Sequence, residues 1–166
     1  MAGERTISAM SLDLGSNLGY CMIDHGIIIK SGALKLSAKD SHPGTRFQRF
    51  QNFLIAHRHV KEIMYEDVPR FESAASAKVY CGLLSILQLF CLVQGINLTG
   101  IFAKSVKKEF AGNGNADKAA MCKVAHRLGW RGGHPDTDID HDECDAIAGA
   151  WVILKRRGVD PNFINV

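Results

Sequence analysis

Three short stretches near the start of the chain alternate between apolar and polar residues. They cover residues 7–14, 19–24 and 27–35, and turn-forming residues at 15–17 and 24–26 separate them. Alternation with a period of two predicts β-strands, and turns this short join antiparallel neighbours. The N-terminal part of the chain is therefore predicted to form a three-stranded meander.

Apolar residues recur at helical spacing through most of the remaining chain, with two short strand-like runs between them. Ser105 is a candidate N-cap, and Gly95 is a candidate C-terminal stop. The predicted helices are 47–59, 73–94, 105–110, 116–128 and 141–156, the predicted strands are 60–65 and 96–102, and 131–140 is a polar loop. This order predicts an α/β fold in which helices cover both faces of a mixed five-stranded sheet.

The length of 166 residues suits one domain, which we place at 1–158, followed by a short tail at 159–166. The longest apolar-rich segment, 82–95, contains polar residues and is predicted to be a buried helix rather than a membrane span. The N-terminus lacks the basic-then-apolar order of a signal peptide. Five scattered cysteines without a CxxC pair fit a reducing compartment. We therefore expect a cytoplasmic protein that does not interact with membranes.

Charge is unevenly distributed along the chain. Six of the 17 acids lie between positions 136 and 145, which leaves 11 acids against 20 Lys plus Arg elsewhere. A basic body with one concentrated acidic site suits a metal-dependent enzyme acting on nucleic acid. A solvated acidic loop on a solubilising basic surface explains the same numbers equally well.

Two acids stand at the ends of predicted strands. Asp13 ends the apolar first strand, where a carboxylate is costly unless it is paired or metal-bound, although an Asp before Gly15 can also form a turn. Glu66 ends the fourth strand and could approach Asp13 if the two strands run parallel, because their carboxyl ends then share an edge. An exposed strand-end acid is the alternative for Glu66.

A second pair of acids, Asp142 and Asp145, opens the last apolar helix. Positions separated by three share a helix face, whereas Glu143 points elsewhere. Acids in the first turn also complement the helix dipole, but Asp145 lies on the face that should pack on the sheet. Four such carboxylates can hold two Mg²⁺ ions about 4 Å apart for phosphodiester hydrolysis.

Four blocks in order resemble the RuvC family of Holliday junction resolvases over nearly the whole chain. They are SLDLGSNLGYCMID, IMYEDV, VKKEFAGNGNADKAAM and DECDAIAGA. The resemblance implies an RNase H-like fold and a homodimer that resolves four-way junctions by paired symmetric nicks, leaving 5′-phosphate and 3′-hydroxyl ends. It implies two Mg²⁺ ions per active site, with Mn²⁺ as a substitute.

The resemblance also assigns roles to individual residues. It makes Asp13, Glu66, Asp142 and Asp145 the metal ligands, and it places Lys107 and Lys118 at the scissile phosphate. His141, beside Asp142, is a candidate alternative ligand or an exposed neighbour of the helix start. The candidate DNA contacts are Arg70, Phe71, Lys78, Lys104, Lys107, Lys108 and Lys118.

The chain departs from the cellular members of that family at two points. Leu14 stands where proline is common, and DVPRFES follows Glu66, so that Phe71 replaces the usual aromatic wedge. These departures are typical of a bacteriophage or other viral member, and nothing indicates a branch-migration motor as a partner.

Three alternatives to a dedicated resolvase remain. They are a broader endonuclease for three-way, flap and fork DNA, a non-catalytic junction-binding module, and an actin-like ATPase or sugar kinase. The last alternative rests on Asp13-Leu14-Gly15 followed by Gly19, but the chain is short for two nucleotide-clasping halves.

Overall fold

One mixed sheet organises the chain in the computed structural model, which describes residues 7–37, 42–130 and 141–161. Its strands are β1 (Ala9–Asp13), β2 (Asn17–Asp24), β3 (Ile27–Lys35), β4 (Glu62–Asp67) and β5 (Asn97–Phe102). The helices are α1 (Thr45–Ala56), α2 (Ala74–Gln94), α3 (Ala103–Ala111), α4 (Lys118–Arg127) and α5 (His141–Arg156). The strand order β3-β2-β1-β4-β5 confirms the predicted mixed five-stranded sheet.

The sheet combines an antiparallel meander with two parallel crossovers. Strands β1, β2 and β3 pair antiparallel, as their short turns predict, whereas β4 runs parallel to both β1 and β5. Leu12 pairs with Tyr65 in the β1–β4 ladder, so Asp13 and Glu66 are the next positions on the two strands. The carboxyl ends of β1, β4 and β5 therefore meet at one edge of the sheet.

Each face of the sheet has its own hydrophobic core. On one face α3, α4 and α5 cover residues such as Cys21, Met64 and Ile101. On the other face α1 and α2 cover Met10 and Leu12. Successive residues of a strand point to opposite faces, so Asp13 and Glu66 share the α5 face with Ser11 and Met64.

Helices α1, α3 and α4 each begin two residues away from the predicted start, and the starts of α3 and α4 have a local explanation. Helix α3 begins at Ala103, directly after β5, and no side chain caps it, so Ser105 is not its N-cap. Helix α4 begins at Lys118 rather than at residue 116. The Asp117 side chain caps it by accepting a hydrogen bond from the backbone N–H of Ala120 at 2.8 Å. The predicted polar loop at 131–140 lies outside the described residues.

Helix α2 is less buried than its apolar sequence predicts. Tyr80, Leu83, Leu87 and Cys91 pack into the core, but Leu89, Leu92 and Val93 are respectively 62%, 80% and 69% exposed. The prediction of a buried helix was therefore wrong for one side of α2. By length and composition α2 could also cross a membrane, and a single helix of this kind is weak evidence of a span.

Candidate active site

The sheet edge brings two of the candidate acids side by side. Asp13 ends β1, and Glu66 occupies the neighbouring position of β4, one residue beyond the Leu12–Tyr65 pair. Both side chains point to the face that α5 covers, because each follows a residue of the opposite face. The parallel arrangement that the sequence left conditional for Glu66 is therefore present.

The start of α5 lies directly over this edge. Gly19 pairs with Asp13 in the β1–β2 ladder, and a Cβ atom at Gly19 would overlap the backbone carbonyl of Asp142. Only a residue without a side chain lets the helix approach β2 so closely. Further along α5, a Cβ atom at Gly149 would overlap the Ser11 side chain. These two glycines allow the helix that carries Asp142 and Asp145 to lie flat on the strand that carries Asp13.

The four acids interact electrostatically as one cluster. Burial raises the pKa of Asp13 well above its usual value of 3.8, and the charges of Glu66, Asp145 and Asp142 raise it further. Burial and the charge of Asp145 raise the pKa of Glu66 from 4.5 to about 7. Burial also raises the pKa of Asp145. Like charges held together in a desolvated site are stable only with a cation or protons between them.

Two lysines face the cluster from the neighbouring helices. Lys107 on α3 lowers the pKa values of Glu66 and Asp145, and Lys118 at the start of α4 lowers those of Asp13 and Asp145. Both lysines therefore lie close enough to the acids to affect their charge, and the contact with a scissile phosphate stays a prediction. The other candidate DNA contacts Arg70, Phe71, Lys78, Lys104 and Lys108 are all exposed and do not contribute to these shifts.

The carboxylate oxygens of the four acids suit an open Mg²⁺ site better than a closed site in which the protein supplies every ligand. Within residues 7–37, 42–130 and 141–161, no three His, Cys, Asp or Glu side chains form a ready-made metal-binding group. Mg²⁺ keeps several waters and takes one or two carboxylates plus substrate phosphates, so it does not need an all-protein cage. Hard carboxylate oxygens that repel one another in a desolvated site meet that requirement.

Cysteines and a histidine of α4 and α5 also lie near the acids. Cys122 and Cys144 are buried and hydrogen-bond to each other. His141 does influence the site, because its charge lowers the pKa of Asp145. Its buried Nδ1 has no hydrogen-bond partner among the described residues.

Glu143 holds the first turn of α5 in place. The sequence predicts only that Glu143 points away from Asp142 and Asp145, and does not indicate this role. Its Oε1 accepts a hydrogen bond from Ser31 Oγ at 2.6 Å and another from Trp130 Nε1 at 3.0 Å. Ser31 belongs to β3, and Trp130 follows α4. Through these two hydrogen bonds, Glu143 connects the start of α5, which carries Asp142 and Asp145, to β3 and to the residue that follows α4 closely.

Tyr80 has a corresponding role on the opposite face of the sheet. Its hydroxyl donates to the backbone carbonyl of Glu66 at 2.9 Å and accepts from the backbone N–H of Val68 at 3.3 Å. Phe71 packs its ring against Tyr80 with the centroids 5.2 Å apart. The segment after β4 is therefore held to α2, and this segment includes the aromatic residue expected to act as a wedge.

Solved structures with a similar arrangement of strands and helices include two RuvC structures and a mitochondrial Holliday junction resolvase. Thermus thermophilus RuvC in complex with a Holliday junction substrate has a TM-score of 0.71 at 16% identity, covering 92% of this chain and 96% of that one. A second Thermus thermophilus RuvC structure has a TM-score of 0.67 at 15% identity, covering 92% and 97%. The yeast mitochondrial Holliday junction resolvase Ydc2 has a TM-score of 0.66 at 18% identity, covering 92% and 80%.

No sequence-family model and no curated protein sequence matches this chain. The likeness therefore lies in the backbone, and at identities this low it concerns the fold. It extends over nearly the full length of the chain, as the order of the four sequence blocks predicts. The chain has the RNase H-like fold of RuvC and of the yeast mitochondrial resolvase, which confirms the predicted fold class.

Proposed function

We propose that this protein is a magnesium-dependent endonuclease that resolves Holliday junctions by paired symmetric nicks. The observation that carries the proposal is the meeting of four acids with Lys107 and Lys118 at the carboxyl edge of the sheet. Acids on an ordinary protein surface remain hydrated, whereas Asp13, Glu66 and Asp145 are desolvated and lie next to one another. The RuvC-like fold around them supports a junction as the substrate.

The cluster and its lysines have separate tasks in this proposal. Asp13, Glu66, Asp142 and Asp145 would hold two Mg²⁺ ions, which supply an activated water and stabilise the leaving oxygen. Lys107 and Lys118 bind the scissile phosphate from the side of α3 and α4 and offset its charge. The exposed Arg70, Lys78, Lys104 and Lys108 contact the phosphates of the junction arms.

A homodimer would supply the two symmetric cuts, and the exposed side of α2 supports its interface. Leu89, Leu92 and Val93 form an apolar patch near the C-terminal end of the helix. Exposed apolar groups clustered in this way are typical of protein–protein contacts. A two-fold axis through the patch would place one active site on each side of a two-fold symmetric junction.

The acids argue against a non-catalytic binding module, and the cysteines indicate the compartment in which the protein acts. A non-catalytic binding module would not gain from acids beside the DNA, because they repel phosphates unless metal ions intervene. All five cysteines are free, Cys81 of them exposed, which fits action in the reducing cytoplasm of a bacterial cell or of a virus-infected host.

A panel of DNA substrates tests the proposal. End-labelled four-way, three-way, flap, duplex and single-stranded DNA are incubated with the protein in Mg²⁺ or Mn²⁺. We expect the four-way junction to be cut fastest, and no cutting by Asp13→Asn, while Asp24→Asn, which changes a half-exposed acid at the opposite end of β2, cuts normally. Equal cutting of every branched substrate would replace the resolvase with a broader branched-DNA endonuclease. Binding without cutting in either metal would overturn the nuclease.

A further inference from the structure

One part of the chain is basic throughout and contains no acid to offset its charge. Between Asp24 and Glu62, the described residues 25–37 and 42–61 include six Lys and Arg and no Asp or Glu. The formal charge of the whole chain is only +3. The six bases are Lys30, Lys35, Arg46, Arg49, Arg58 and Lys61. All except the half-buried Arg46 are exposed, so positive charge is concentrated on β3, on α1 and after α1.

Helix α1 begins at the sheet edge that carries the acids. Strand β3 ends at Lys35, and its ladder partner Asn17 directly follows the β1–β2 turn. The guanidinium of Arg49 donates to the backbone carbonyl of Lys35 at 3.5 Å and to that of Leu36 at 3.4 Å. The backbone N–H of Leu36 donates to the carbonyl of Ser16 at 2.9 Å. Arg49 is thus connected to the turn through which the chain leaves the acid edge.

The same helix ends toward the opposite edge of the sheet. Strand β4 begins at Glu62, whose ladder partner Ala9 is the first residue of β1. The 12 residues of α1 span about 18 Å along the helix axis. Arg58 and Lys61 follow the helix and precede β4, so they lie toward this second edge. The bases therefore form a track that leads away from the acids.

The outward face of α1 offers hydrogen-bond donors and no carboxylate. Its buried residues are apolar, and its exposed polar residues are Gln48, Arg49, Gln51 and Asn52. A helix face that only keeps a protein soluble mixes acids with bases, since pairs of opposite charge stabilise the helix. Arg, Gln and Asn side chains without acids are suited to phosphate and sugar oxygens. The composition of this face therefore favours a nucleic-acid backbone as its partner.

No acid neutralises these bases in the part of the chain that the structure describes. None of the six forms an ion pair there, and Glu62, which directly follows Lys61, pairs with Arg157 at 2.6 Å instead. Bases without acidic partners can each neutralise a phosphate, and the counterions that the nucleic acid then releases favour binding.

We propose that α1 and its flanking bases form a track for the phosphate backbone of one duplex arm of the junction. The inference rests on the proposed function, because the arm belongs to a branched DNA whose scissile phosphate lies at the acids. The arm leaves the acid edge beside Arg46 and Arg49. It passes Arg58 and Lys61 about five base pairs farther on, because the helix length of about 18 Å equals about five base-pair steps. This track is separate from the bases on α2 and α3.

Replacing single phosphates of an arm by uncharged methylphosphonates tests the track. The Asp13→Asn protein, which should bind without cutting, is titrated with junctions modified at successive positions from the crossover. We expect two sensitive positions, about five base pairs apart, at which the modification weakens binding. Adding Arg46→Gln and Arg49→Gln should abolish the sensitivity nearer the crossover. Adding Arg58→Gln and Lys61→Gln should abolish the farther one, because each variant already lacks the charge that the phosphate would meet.

The dependence of binding on salt gives a second measurement. The slope of log Kd against log salt concentration should fall by about one for each phosphate contact that is lost. The matched control combines Lys123→Gln with Arg127→Gln, which removes two exposed bases of α4 instead. This control should keep both sensitive positions.

The outcomes separate this inference from the proposed function. If both sensitive positions persist in the two α1 variants, or if the α4 control also loses them, the track is overturned and the nuclease stands. Two sensitive positions that respond to the α1 variants, in a protein whose wild type cuts no DNA, support the track and overturn the nuclease. Failure to bind any branched DNA overturns both.

Discussion

Gly19 lies directly beneath the backbone carbonyl of Asp142, where a methyl group at position 19 would overlap that carbonyl. Gly19 is also the ladder partner of Asp13. The strand acid and the helix acid are therefore brought together by the absence of a side chain between them. The distance of α5 from the sheet is set at this point.

The first prediction concerns this close approach. Gly19→Ala should lower the cleavage rate at least about 100-fold, because pushing the start of α5 outward by about an ångström misplaces Asp142 and Asp145. The rate is measured on a four-way junction in saturating Mg²⁺. Gly44→Ala is the control, because its Cβ would meet only the side chain of His42. Wild-type activity in Gly19→Ala would show that the helix position is not critical.

The second prediction concerns stability against pH without metal. Burial and Asp145 raise the pKa of Glu66 from 4.5 to about 7, so the folded protein binds more protons than the unfolded chain between these values. The stabilising contribution of Glu66 is present below about pH 4.5 and is lost as the pH rises through 7. In EDTA, the melting temperature of Glu66→Gln should therefore rise relative to that of wild type as the pH rises from 5 to 8.

Thermal melts in EDTA at several pH values measure this difference. Adding Mg²⁺ at pH 8 should raise the melting temperature of wild type and raise that of Glu66→Gln less, because the ion replaces the missing protons. If the difference in melting temperature between the two proteins is constant across the pH range, the carboxylates are not buried and repelling one another as proposed.

The third prediction concerns the support of α5 by Glu143. Glu143→Leu removes the acceptor for Ser31 and Trp130, and the freed first turn should raise the Mg²⁺ concentration for half-maximal cleavage by about tenfold or more. Glu143→Gln keeps an oxygen in the same place and should restore the wild-type midpoint. Equal Mg²⁺ midpoints in the Leu and Gln variants would show that Glu143 does not position the acids.

The fourth prediction concerns the exposed side of α2. A double Leu92→Glu, Val93→Glu variant should convert a dimer into a monomer, because charged groups in an apolar contact lose their hydration without partners. Sedimentation velocity measures the change. Gln94→Glu adds charge at an exposed polar position that points away from Leu89 and Leu92 on the same helix, and it should leave the assembly intact. If wild type is monomeric at the concentrations at which it cuts junctions, the proposed interface is wrong.

The sequence predicts the sheet well because its signals are local. Alternation at 27–35 and the turn at 24–26 need no information from elsewhere in the chain, and both appear as β3 and the β2–β3 turn. Gly95 likewise ends α2 in the left-handed conformation that favours glycine. Where β5 runs directly into α3, the local capping signal of Ser105 was misleading, because the strand fixes the start of the helix.

The site could be predicted only in part for the same reason. Asp13 and the pair in α5 stand out because acids on packed faces are unusual. Glu143 carries no such signal, since its partner Ser31 is 112 residues away and only the folded chain brings them together. The exposed side of α2 was missed because an apolar sequence does not distinguish residues packed in the core from apolar residues left on the surface.

The most direct test of the central claim is to map both nicks in one four-way junction and then to treat the product with DNA ligase. We expect nicks at symmetry-related positions on two strands of like polarity, resealed by ligase without prior phosphorylation, and none with Asp13→Asn. Nicks at unrelated positions, ends that ligase cannot join, or normal cutting by Asp13→Asn would contradict it.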